Sequence, residues 1–103
     1  MAIATIHAGI CGFTTTVNAQ TVGDAVKLTI TSECEAICKL GDHLTMLNPY
    51  QEITFRRAVP QTYQEAMKYC THAACPVPVG IIKVIEVESG LALPADVNIQ
   101  LRK

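Results

Sequence analysis

Tryptophan is absent, 5% of the residues are aromatic and 17% are charged. A core must therefore come from Val, Ile, Leu and Ala, in a chain that is half apolar overall. So thin a charged coat leaves apolar surface over, and a second copy of the chain is the expected cover, which makes a homodimer. No Lys/Arg cluster exists beyond Arg56-Arg57 and Arg102-Lys103, and the formal net charge is −1. Phosphate backbones need several clustered cations, so no nucleic-acid partner is expected. No apolar run approaches the roughly 20 residues of a membrane span, so no membrane is expected either. The first residues carry neither the basic n-region nor the long apolar h-region of a secretory signal. The expected location is cytoplasmic, where thiols stay reduced. A length of 103 residues suits one domain over 1–103.

Against this spare background stand five cysteines and three histidines, most of them in three packets. These are His7-Ala-Gly-Ile-Cys11-Gly12, Cys34-Glu-Ala-Ile-Cys38 and Cys70-Thr-His72-Ala-Ala-Cys75-Pro76. Five is odd, which speaks against a closed disulfide framework. Thiolate and imidazole are the donors that zinc, iron and iron–sulfur clusters take. The tight Cys-x2-Cys knuckle of a zinc ribbon is missing, so any site must be assembled by the fold rather than by one loop.

The hydropathy pattern supplies that fold. Ala2 to Ala8 is a short apolar run ending at Gly9, as in a largely buried strand. Phe13, Thr15, Val17 and Ala19 alternate with polar residues, and after a turn at Val22-Gly23-Asp24 so do Val26, Leu28 and Ile30. A period of two marks half-buried strands, and the short links make an antiparallel meander. From Ser32 the period lengthens. Ser32 with Glu35 fits a capping box, and Ile37, Leu40, Leu44 and Leu47 follow at helical spacing. Asn48-Pro49 starts a short helix with Tyr50 and Ile53 inward. Thr62 with Glu65 fits a second capping box, and its helix aligns Tyr63, Met67 and Cys70. A last, mostly apolar helix starts near Cys75-Pro76 and stops before Gly90. The segment Asp96–Arg102 alternates as a closing strand. The order β-β-β-α-α-α-β predicts an α+β domain, a four-stranded antiparallel sheet with helices packed on one face.

This order puts the thiols at element junctions. Cys11 precedes the second strand and Cys34 follows the third, so connectivity places them at one end of the sheet. Cys34 falls in a first helical turn and Cys75 at the N-cap of the last helix, and helix N-termini favour the anionic sulfur. Gly9 and Gly12 flank Cys11 and allow the backbone to approach a bound atom closely. The expected metal ligands are Cys11, Cys34, His72 and Cys75, with His7 or Cys38 as substitutes, holding zinc, iron or an iron–sulfur cluster. Cys70 belongs to the core stripe as a small hydrophobe, and His43 sits on a polar, solvated stretch.

In cysteine order, Gly-Ile-Cys11-Gly, Cys34 at the strand-to-helix junction and the His72…Cys75 pair before the last long helix resemble iron–sulfur scaffold proteins of the IscU/NifU type. That likeness implies a meander followed by helices, and metal or cluster binding. The strings His-Ala-Gly-Ile-Cys-Gly-Phe and His-Ala-Ala-Cys-Pro-Val-Pro are similar to those of a small prokaryotic family of uncharacterised single-domain proteins. That similarity implies a defined domain and supplies no activity. Three functions follow for test. The first is a metal- or cluster-binding protein, a scaffold or carrier serving a protein partner in metal or sulfur transfer. The second is a thiol enzyme or sulfur carrier, with Cys34 or Cys75 as nucleophile, His72 as base and Cys38 resolving. The third is an interaction domain whose cysteines are inert and buried.

Overall fold

A computed structural model describes residues 1–103. Three strands form first: β1 (Ala2–His7), β2 (Thr14–Val22) and β3 (Ala25–Ser32). Period-two alternation fixes their register, because a slip by one residue would turn every apolar side chain to water. Thus Ala4 faces Val17, which faces Ile30, and Ala19 faces Leu28. Val17, Ala19, Val26 and Leu28 are buried on one face, with Ala2, Ala4, Ile6 and Ile30 packed against them. The other face carries Ile3, Thr5 and His7 opposite Asn18, Thr16 and Thr14, and these opposite Thr29 and Thr31. No helix covers that polar face.

Helices cover the first face. Helix α1 (Glu35–Asp42) lies over β3 and α4 (Val77–Glu88) over β1 and β2, while α2 (Pro49–Glu52) and α3 (Gln61–Tyr69) pack against α4. Ile37 and Leu40 of α1 and Val77, Ile81, Val84 and Ile85 of α4 complete the core. Gly80 sets how close α4 comes to the sheet: a Cβ there would stand 2.4 Å from Cδ1 of Ile6. The α+β class and the four-stranded antiparallel sheet expected from the sequence are both present.

The fourth strand is not the expected one. Strand β4 is the two-residue Met46–Leu47, paired with Val26 and Lys27 of β3, and the sheet order is β1-β2-β3-β4. Asp96–Arg102, read as the closing strand, is exposed and pairs with nothing in the chain. The helix expected to run through Leu44 and Leu47 stops at Asp42. Both leucines are still fully buried, because after α1 the chain doubles back along β3, where Leu28 N–H donates to the Thr45 carbonyl at 2.8 Å.

The helix starts also differ in detail. Ser32 Oγ accepts from Cys34 N–H at 3.0 Å and forms no capping box, so Cys34 is the N-cap of α1. Pro60 is the N-cap of α3, and Thr62 bonds the buried Glu52 of α2 instead of pairing with Glu65. The buried stripe of α3 is Thr62 and Ala66, with Met67 74% exposed. Asn48 caps α2 as expected, its Oδ1 accepting from Tyr50 N–H at 3.0 Å, although Tyr50 points outward.

Candidate thiol cluster

The meander brings the cysteine packets to one end. Strand β1 ends at His7 opposite Thr14, where β2 begins, and β3 ends at Ser32 opposite Thr15. The loop holding Cys11 and the junction holding Cys34 are therefore neighbours, joined by Thr14 N–H donating to Glu33 Oε1 at 2.8 Å. Gly80 in the first turn of α4 rests on Ile6, near the same end of β1. That brings Cys75, two residues before α4, to this end as well.

Three cysteines from separate segments pack against the hydrophobic core. Cys34 is fixed at the start of α1 by its bond to Ser32 Oγ, which itself shares a 2.7 Å hydrogen bond with Thr15 Oγ1. Cys70 is the C-cap of α3, its N–H donating to the Ala66 carbonyl at 2.8 Å. Cys75 closes a turn by donating its N–H to the His72 carbonyl at 3.2 Å, and Pro76, one residue on, is the N-cap of α4. All three side chains are half-buried against the hydrophobic core. Burial, then the charges of Cys75 and Cys34, push the Cys70 thiol up to about 11. The Cys70 sulfur thus lies within the electric field of cysteines from two other segments. Desolvation and like charge both disfavour a thiolate at Cys70.

The remaining candidates sit around this group or away from it. Gly12 N–H donates to the Gly9 carbonyl at 2.9 Å, and both glycines take positive φ, 93° and 74°. Their conformation is what the tight turn demands. Cys11 and Ile10 stand at the corners of that turn, both exposed. Cys38 is exposed and donates its S–H to the Ser32 carbonyl at 3.3 Å. His7 belongs to the uncovered face, where its Nδ1 lies 3.2 Å from Thr14 Oγ1, so the sheet stands between it and the clustered sulfurs. His72 is exposed in the turn that leads to Cys75. His43 stacks on Tyr69 at 4.5 Å, and its Nδ1 donates to the Lys39 carbonyl at 2.9 Å. All five cysteines are free, and no three His, Cys, Asp or Glu side chains stand in a metal-binding array.

Cys70 is the member that stripe reasoning assigned to the core. Its stripe was one residue off, since α3 buries Thr62 and Ala66. The readable signal was its place just after the last apolar turn, where a cap residue leaves the helix and turns toward the next segment.

No helix of the chain is long and apolar enough to cross a membrane. No curated protein matches the chain, and no solved structure matches it. One family model does, over residues 2–101. The chain belongs to DUF6951, a family of unknown function.

Proposed function

We propose that the chain binds a soft metal ion, zinc or iron, or an iron–sulfur cluster, through thiolates, and serves as a small scaffold or carrier for metal or sulfur. The observation that supports this reading is that Cys34, Cys70 and Cys75 pack against one core, where burial first, and then the charges of Cys75 and Cys34, hold the Cys70 proton on. A divalent cation displaces that proton and turns like-charge repulsion into ligation, so binding releases protons and strengthens with pH. Three sulfurs leave one coordination position of a tetrahedral site. Cys11, presented on its turn at the same end, is the fourth ligand of choice, and His72 beside Cys75 is the substitute.

The test is elemental analysis and an absorption spectrum on protein purified without oxygen. The reading expects close to one metal site per chain, with Cys34→Ser, Cys70→Ser and Cys75→Ser each lowering occupancy strongly and Cys38→Ser leaving it unchanged. Metal-free protein that also fails to take up zinc or iron when reduced overturns it.

One observation favours a second reading. Cys34 is the N-cap of an eight-residue helix, with Cys38 exposed one turn on. That arrangement supports thiol exchange, with Cys34 attacking and Cys38 resolving. It requires Cys34 to alkylate much faster than the other four cysteines in metal-free protein.

A further inference from the structure

The sheet has one strand edge with nothing on it. Strand β4 closes the β3 side, whereas β1 pairs only with β2, so half of the backbone N–H and C=O groups of Ala2–His7 point outward. The chain also holds a segment built as a strand that pairs with nothing. Residues 93–103 make no backbone hydrogen bond. Val97, Ile99 and Leu101 are 58%, 76% and 89% exposed, and they alternate with Asn98, Gln100 and Arg102. Period-two alternation serves a strand with one dry and one wet face, and an isolated tail in water has no use for it.

We infer that residues 96–102 form the fifth strand of a second copy, laid on the free edge of its β1, with the exchange made reciprocally in a two-fold dimer. The two faces match. Beyond β1, the covered face continues Ala2, Ala4 and Ile6, and above it lies the flank of α4 that carries Gly80. Val87, two turns on from Gly80, shares that flank, and Val79 beside it is 42% exposed. Val97, Ile99 and Leu101 meet this apolar margin. Asn98, Gln100 and Arg102 then continue the uncovered polar face that begins with Ile3, Thr5 and His7. A slip by one residue would reverse both matches, so the alternation specifies which way up the strand lies. The outer edge of the tail's own β1 carries no strand in the chain, which makes a second copy the donor. Exchange removes two exposed edges and six exposed apolar side chains per dimer, three from each tail. It is independent of the thiols.

The experiment is sedimentation of the full chain over a micromolar range, with hydrogen exchange read on peptides covering residues 1–8 and 94–103. The inference expects a mass twice the 11.1 kDa of the chain, and slow exchange in both peptides that is lost together on dilution. Ile99→Lys alters a side chain that is exposed in the single chain, so it folds, and it weakens association by about tenfold or more. A mass of 11.1 kDa throughout, a dimer whose tail amides exchange freely, or a monomer with a protected tail each overturns it.

Discussion

Replacing Glu52 removes a tertiary cap from α3. The Glu52 side chain is buried, 2% exposed, and its carboxylate accepts from Gln61 N–H at 3.0 Å, Thr62 N–H at 2.8 Å and Thr62 Oγ1–H at 2.6 Å. Pro60, the N-cap, offers no side-chain acceptor and its carbonyl takes the N–H groups of Tyr63 and Gln64, so Glu52 alone satisfies those of Gln61 and Thr62 and places a negative charge at the helix's positive pole. In Glu52→Ala, water reaches the exposed Gln61 amide but not Thr62, which is fully buried. Two unsatisfied Thr62 donors at roughly 1–3 kcal/mol each predict a loss of about 3 kcal/mol. That is a large share of the roughly 5–15 kcal/mol stability of a small domain. Urea unfolding of reduced protein measures it, as a lower midpoint at unchanged slope. Thr62→Val supplies the control. It destabilises the native chain but is close to neutral in Glu52→Ala, because there it removes an orphaned hydroxyl. A Glu52→Ala loss below about 1 kcal/mol, or equal Thr62→Val effects in both backgrounds, refutes the reasoning.

Two further outcomes follow from titrating groups. Glu88 Oε2 accepts from the backbone N–H and the hydroxyl of Thr21, both at 2.9 Å, and these bonds with the nearby N-terminal ammonium lower its pKa. Its contribution is therefore present above the ordinary glutamate range and lost as pH falls through the lowered value, so stability measured against pH has a shallower acid limb in Glu88→Gln. Cys70, raised from 9.0 to about 11, contributes stability that is full below the lower value and lost as pH rises through the upper one. In metal-free protein it alkylates slowest of the five cysteines at neutral pH, as peptide mass mapping reads, and Cys70→Ala flattens the alkaline limb of the stability curve.

The parts of this fold that were legible in the sequence are those set by local rules. Alternation over Thr14–Ser32 fixed two strands and their turn, and connectivity alone put Cys11 and Cys34 at one end. Core membership survived even where the element was wrong: Leu44 and Leu47 are buried in a returning segment instead of a helix. Helical spacing cannot tell a continuing helix from a chain that doubles back over the same core. The errors came where a distant group outbid the nearest one. Thr62 had a capping partner three residues on, yet Glu52 of another helix took the bond, while Glu65 pairs with Lys68 at 3.3 Å. Asp96–Arg102 has the pattern of a strand, and a pattern states which face wants burial without stating where the cover lies. Cys70 does pack on the core, but its stripe was misread for a related reason. The largest apolar residues, Tyr63 and Met67, suggested its stripe, whereas close packing of α3 chose the small Thr62 and Ala66.

The central claim is that Cys34, Cys70 and Cys75 act as one ligand set, and site-resolved alkylation with and without metal tests it most directly. Reduced protein is held without oxygen, given one equivalent of Zn²⁺, pulsed with iodoacetamide and digested for mass spectrometry. The account predicts that Cys34, Cys70 and Cys75 become protected together, that Cys11 or His72 completes the site, and that Cys38 reacts at its metal-free rate. Unchanged rates at all three clustered cysteines, or protection confined to one of them, would contradict it.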